Sequence, residues 1–169
     1  IQMKNVNGKE DTAFTVQYDF CMPGRFNLNY TGEDGAEHLA FVVHRSSIGA
    51  IERIMAFLIE KYGGAFPLWL SPTQVKIIPV RTNHNEYAAQ VSELLKENNI
   101  RVELDNKDGN LGGKVRDAKT NKIPYWIVIG DKEIEAGKVT LESRDAGQLG
   151  QISKEELIAK LSAEIKNKK

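Results

Sequence analysis

Two stretches of this sequence carry side chains suited to chemistry. The first is His44-Arg45-Ser46-Ser47-Ile48-Gly49-Ala50-Ile51-Glu52-Arg53, where an arginine follows small residues early in a helical pattern. A guanidinium there can meet a phosphate or stack on a planar base, because it is flat, permanently charged and rich in donors. The plain alternative is a surface pair between Arg53 and an acid, a common arrangement of little energetic weight. The second stretch is Asp105 to Gly113, a polar loop with Asn106, Asn110 and three glycines. Such a loop either joins two elements or lets backbone come close to a ligand such as RNA. Gln17 and Asp19 lie two apart in a strand pattern and so share a polar face. Glu33-Asp34 form an acidic turn, for which solvation is the plain explanation.

Other chemistries find no support in the spacing. His44 ends an apolar strand pattern, and neither His38 nor His84 stands at ligand spacing from it. A structural metal site needs three or four donors, so none is expected within the chain by itself. No nucleophilic triad can be assembled. No glycine-rich phosphate loop follows the first strand of the second half, which argues against a dinucleotide or P-loop role. Cys21 is the single cysteine, so no internal disulfide forms and a reducing, cytoplasmic setting is the simpler reading. No run of about eighteen apolar residues is present, so no membrane span is expected. Ile1-Gln2-Met3-Lys4 has neither a signal pattern nor an initiator Met, and reads as the start of a piece of a longer protein.

The elements that must position these residues divide near Ser71-Pro72. In the first segment, Lys4 to Cys21 reads as two strands joined at Asn7-Gly8. Phe14, Val16, Tyr18 and Phe20 alternate with polar residues and predict a buried face. Leu39–His44 reads as another strand, with Ser46 or Ser47 as cap of the helix after it. Ile48, Ile51, Met55, Leu58 and Ile59 would form that helix's packed face. An antiparallel sheet with a helix on it is expected. In the second segment, strands at 75–80, 101–104, 126–129 and 138–142 alternate with helices at 86–97 and 111–119. Ser153-Lys154-Glu155-Glu156 is a capping box opening a last helix. That order predicts crossovers in a largely parallel sheet with helices on both sides. Formal charge is zero for the whole chain. Residues 1–72 hold six basic and eight acidic side chains, and the rest seventeen and fifteen. This slight asymmetry is in the right direction for RNA binding by the second half.

The run ending in Arg53 resembles class II aminoacyl-tRNA synthetases, and more narrowly the threonyl-tRNA synthetase family. The likeness includes Thr15-Val16-Gln17-Tyr18-Asp19-Phe20, Tyr30-Thr31-Gly32-Glu33-Asp34 and Phe66-Pro67-Leu68-Trp69-Leu70-Ser71-Pro72. It continues through Gln74-Val75, Gly113-Lys114-Val115-Arg116, Pro124-Tyr125 and Gly130-Asp131-Lys132-Glu133. The resemblance implies the last part of an antiparallel-sheet catalytic domain over 1–72. Over 73–169 it implies a three-layer α/β/α anticodon-binding domain with a mixed sheet. It implies a ligase that activates threonine with ATP and Mg and transfers it to tRNA(Thr), with this chain alone inactive. Arg53 resembles the motif 3 arginine that lies against the adenine and phosphates of ATP. Gln17 would lie on the strand flooring the site, and His44 matches one of three zinc ligands. Asp108, Lys114, Arg116 and Glu133 would face the anticodon. A cytoplasmic homodimer, with no DNA partner, is implied for the whole protein. The motif 2 arginine and the other two zinc ligands have no counterpart and are expected upstream of Ile1. Ala50 stands where many members have Ser, Asp108 where they often have Asn, and Glu142 where they often have Arg. The alternative reading is a non-catalytic RNA-binding module or accessory subunit derived from a synthetase.

Overall fold

The computed structural model describes residues 1–168. The chain forms two compact units, one over Ile1–Gly63 and a second from Gly64 on. Among the described residues no helix is long and apolar enough to cross a membrane.

The first unit is built from two-stranded ribbons. β1 (Gln2–Lys4) pairs antiparallel with β2 (Glu10–Thr12). Their turn is organised by Asn5, whose Oδ1 accepts from the amides of Asn7 and Lys9, while Gly8 takes the positive φ of 76°. β3 (Thr15–Asp19) leads into the single turn α1 (Met22–Arg25). β4 (Asn29–Thr31) and β5 (Glu37–Leu39) form the second ribbon. β6 (Val42–Ser46) pairs with β3, placing Gln17 opposite His44. The strand expected over 39–44 is therefore two strands, broken at Ala40-Phe41, because its halves pair with different partners.

The helix α2 (Ile51–Tyr62) follows and closes on Gly63 in the left-handed conformation. Its N-cap is Ala50 without a side-chain cap, not Ser46 or Ser47; Ser46 instead accepts from the Gly49 amide at 2.8 Å. The predicted packing is also corrected. No residue of α2 is buried, and Ile51 and Met55 are 67% and 56% exposed. The alternating face of β3 is open too, Val16, Tyr18 and Phe20 all being exposed. Tyr18, Phe20 and Phe41 cover one another instead, with ring centroids 4.9 to 5.9 Å apart. A two-stranded ribbon offers two faces and has no second layer here to bury either.

The second unit has the core. β7 (Val75–Pro79), β8 (Val102–Leu104), β9 (Tyr125–Ile129), β10 (Val139–Ser143) and β11 (Gly147–Ile152) form one mixed sheet, ordered β11-β10-β9-β7-β8. β7 runs parallel to both β8 and β9, whereas β9-β10-β11 is antiparallel. The helices are α3 (Asn85–Glu97), α4 (Leu111–Thr120), α5 (Asp131–Ala136) and α6 (Lys154–Lys166). Period two in β7 and β9 separates the two faces. Val75, Ile77, Tyr125, Ile127 and Ile129 pack with Val91, Leu95, Leu157 and Leu161 of α3 and α6. Ile78 and Trp126 pack with Ala118 of α4 on the other face. The expected capping box holds: Ser153 Oγ accepts from the Glu156 amide, and the Glu156 carboxylate accepts from the Ser153 amide.

The segment before β7 is tied to this unit by side-chain hydrogen bonds. Gln74 donates to the Leu68 carbonyl and accepts from the Arg101 amide, both at 2.9 Å. The Arg101 guanidinium caps the carbonyls of Trp69 and Ser71. Arg144 does the same for Phe66 and Lys122. These bonds satisfy carbonyls that no ladder serves.

Candidate functional site

In the second unit the chemistry collects at the ends of the parallel strands. β7 ends at Pro79 and β8 at Leu104, and the loop 105–110 leads to α4. That loop is less free than its composition suggests. Asp105 accepts from the Lys107 amide, and Asn110 caps α4 by accepting from Gly113 at 2.7 Å. Gly112 and Gly113 lie inside the helix, and neither they nor Gly109 has a positive φ.

A buried lysine holds the loop from below. Lys76 on β7 is 1% exposed and pairs with Glu103 at 3.0 Å, with Asp105 at 3.3 Å and with Asp117 of α4. Burial alone would pull the ammonium's pKa down. The bonds to Asp117 and Glu103, with the charges of Glu103 and Asp105, more than reverse this and leave it raised. The Asp117 carboxyl is correspondingly held low by Lys76. β7, β8 and α4 are thus joined through one ammonium.

Of the residues expected at the anticodon, the structure brings Asp108 and Lys114 together around the same clefts. Lys114 Nζ donates to the Asp105 carbonyl at 3.2 Å. Arg116 is exposed on α4 and lines neither cleft. Glu142 accepts from the Trp126 indole at 3.0 Å.

Glu133 is 9% exposed, and its oxygens are occupied. Oε2 accepts from the Gly130 amide at 2.9 Å; Oε1 accepts from Thr140 at 2.7 Å and Gln151 at 3.0 Å. Burial pushes its pKa up, but these three donors prevail and leave the carboxyl below its ordinary range. Its first task is to tie α5 to β10 and β11. Neither α5 nor β11 was anticipated from the sequence. The available signals were Glu133 three residues after Gly130, and Gly137 as a left-handed helix stop at φ 64°. Glu133→Ala is expected to destabilise the chain by about 2 kcal/mol, the scale of hydrogen bonds to a charged group. A folded-state pKa below the unfolded value means this contribution is present above pH 4.5 and is lost as pH falls below it. Denaturant midpoints of wild type and Glu133→Gln should therefore converge between pH 6 and pH 3; a constant gap would contradict the account.

In the first unit, β3 and β6 set Gln17 and His44 opposite each other, both exposed. His44 Nε2 lies 2.8 Å from Asp19 Oδ2. The Asp19 carboxyl also accepts from the Met22 and Cys21 amides. The Met22 amide, His44 and the Cys21 amide together push its pKa down to about 2. Among the described residues no group of three or more His, Cys, Asp or Glu side chains is placed to hold a metal ion. Arg53, on the first turn of α2, donates to the Thr12 carbonyl at 3.1 Å. The approach depends on Gly49, whose φ is 72° and where a Cβ would stand 2.9 Å from the Ala13 carbonyl oxygen. Among the described residues Arg53 has no ion pair, so the surface-pair alternative is not formed.

The family model described as "Anticodon binding domain" matches residues 74–164. The chain is 49% identical over 166 residues to a protein of Clostridium botulinum (strain Hall) named threonine–tRNA ligase, covering 98% of this chain and 26% of that protein. The chain thus spans about a quarter of the length of the curated relatives it matches. Among solved structures it is similar to the RNA binding domain of threonyl-tRNA synthetase from Cryptosporidium parvum Iowa II, with TM-score 0.78 and 30% identity over 96% of this chain and 41% of that one. The fold is shared with prolyl-tRNA synthetase of Cryptosporidium parvum, at TM-score 0.76 and 20% identity over 96% of this chain and 35% of that one.

Proposed function

The chain belongs to the anticodon binding domain family, and from that premise we propose that it is the C-terminal part of a threonine–tRNA ligase. One observation carries the reading: 98% of the chain aligns with a threonine–tRNA ligase, well beyond the 74–164 match of the family model. The similarity therefore takes in Gln17, His44 and Arg53. Residues 1–72 would belong to the catalytic domain and 73–169 would be the anticodon-binding domain. In the whole protein, a cytoplasmic homodimer, the threonine carboxylate attacks the α-phosphate of ATP, supplied with Mg, and pyrophosphate leaves. A hydroxyl of the terminal ribose of tRNA(Thr) then attacks the carbonyl carbon of the adenylate, and the threonyl group passes to the ribose as AMP leaves.

Within this chain, Arg53 would hold phosphate charge and the adenine face, because one of its five donors is spent on Thr12 and the rest remain. Gln17 would position substrate on the strand floor. His44 would serve as one zinc donor, with the remaining donors coming from outside residues 1–169. Asp108, with Lys114 beside it and Arg116 further along α4, would face the anticodon. Asp108 can accept from a base amino group. Glu133 would contribute by holding the end of β9 in place. The second reading, a stand-alone RNA-binding module, is favoured by the placement of nearly all buried apolar residues in the second unit.

A titration of residues 1–169 with a tRNA(Thr) anticodon stem-loop tests the RNA role. The cognate stem-loop is expected to bind about tenfold tighter than one with a changed anticodon base, the scale of one mismatched contact. Equal, salt-sensitive affinity for both would leave electrostatic attraction and remove anticodon reading.

A further inference from the structure

The ends of β7 and β8 open onto a cleft of about 80 Å³ whose polar lining includes Arg81, Asn85, Asn106, Lys107, Asp108 and Lys114. Three of these side chains are cations and one is a carboxylate. Lys114 is already engaged by Asp105. Arg81 and Lys107 are exposed, and among the described residues neither side chain has a carboxylate within 4.0 Å. Of the acids around the loop, Asp105 and Asp117 bind the buried Lys76 ammonium, with the charge of Lys107 still felt at Asp117. A chain with no net charge therefore holds two cations that line one cleft without a carboxylate in ion-pair contact. α3, thirteen residues long, begins at the same place, with its first amide donating to the Thr82 carbonyl and Glu86 in its first turn.

We propose that Arg81 and Lys107 clamp one backbone phosphate of the RNA that this domain binds. The proposal rests on the anticodon-arm reading above and adds to it a site at which the strand is registered. A guanidinium can take two phosphate oxygens at once, and the lysine supplies a point charge from the loop 105–110. Such a contact fixes register without carrying sequence information. Asp108, in the same cleft, repels a second phosphate and accepts from a base amino group. The strand is thereby oriented with one phosphate on Arg81 and Lys107 and a base toward Asp108.

The test titrates residues 1–169 with a labelled tRNA(Thr) anticodon stem-loop over a series of KCl concentrations. Arg81→Gln, Lys107→Gln and the double variant are compared with Lys96→Gln, which lies in the last turn of α3 and pairs with Glu93. Each single variant is expected to weaken binding about fivefold near 50 mM salt and to reduce the slope of log K against log salt by about one. The loss should be equal for cognate and altered anticodons, and thermal midpoints should not move. Neutralising phosphates one at a time as methylphosphonates should reveal one position that costs the wild type but not the double variant. Unchanged affinity and slope in the double variant, with wild type still discriminating anticodons, would reject the clamp and leave the anticodon reading standing. A loss confined to the cognate stem-loop, an equal loss in Lys96→Gln, or no coupled phosphate position would also reject it. If the wild type binds no stem-loop, the anticodon reading and the clamp fall together.

Discussion

Arg53→Ala, introduced into a protein of the relatives' full length, is expected to slow threonine activation by about two to three orders of magnitude, the usual cost of losing one positioned donor to developing charge. The 169-residue chain alone is expected to show no threonine-dependent pyrophosphate exchange. Both outcomes have the same physical cause. Electrostatic stabilisation of in-line attack at the α-phosphate needs fixed donors in a site from which water is excluded. Here Arg53, Gln17 and His44 are all exposed. Arg53 is nonetheless pre-placed, with Gly49 allowing the turn before α2 to approach Ala13 and the guanidinium resting on the Thr12 carbonyl. Pyrophosphate exchange measures both cases, with far-ultraviolet circular dichroism to confirm that the variant is folded. Robust exchange by the short chain, or unchanged kinetics in Arg53→Ala, would mean that the catalytic assignment is misplaced.

Ile127→Ala should cost about 3 kcal/mol, whereas Met55→Ala should change stability by less than about 0.5 kcal/mol. Ile127 is fully buried in β9, one of the three interior strands of the mixed sheet, and belongs to the main core. Truncating it removes apolar contacts and leaves a cavity. Met55 is more than half exposed on α2 and has little burial to lose. In a unit of this size the first change corresponds to a fall in the thermal midpoint of roughly 15 °C. Scanning calorimetry of the two variants separates the cases. Comparable losses would show that the apolar stripe of α2 is packed in solution, contrary to the burial described here.

The elements of the second unit were legible because their signals are local. The apolar runs of β7 and β9, the stripe Val91–Leu95 on α3 and the Ser153–Glu156 box all follow from composition, periodicity or cap chemistry within a few residues. β11 was not legible, because Gly147 and Gly150 interrupt it, both with positive φ. It exists through pairing with β10 and through Ile152 packed on the core. α5 is only six residues long and is held by Glu133, whose partners Thr140 and Gln151 are seven and eighteen residues away.

For the candidate site, the likeness to the synthetase family marked Gln17, His44, Arg53, Asp108, Lys114, Arg116 and Glu133, and residue type indicated which chemistry each could support. Amino-acid identity determines charge, donor count and planarity, and these do not depend on the fold. The sequence also settled the alternation that yields a sheet covered on both faces. Only the tertiary structure decided which of those side chains are free. It turned Glu133 inward onto three donors, set Lys114 on Asp105 and left the apolar faces of β3 and α2 open. It also placed Lys76 beneath three carboxylates and brought Arg81 to the same cleft as Lys107, twenty-six positions further along the chain. A hydrogen bond or ion pair is fixed by distance in space, and the β7-α3-β8 crossover brings together groups whose separation along the chain carries no trace of that meeting.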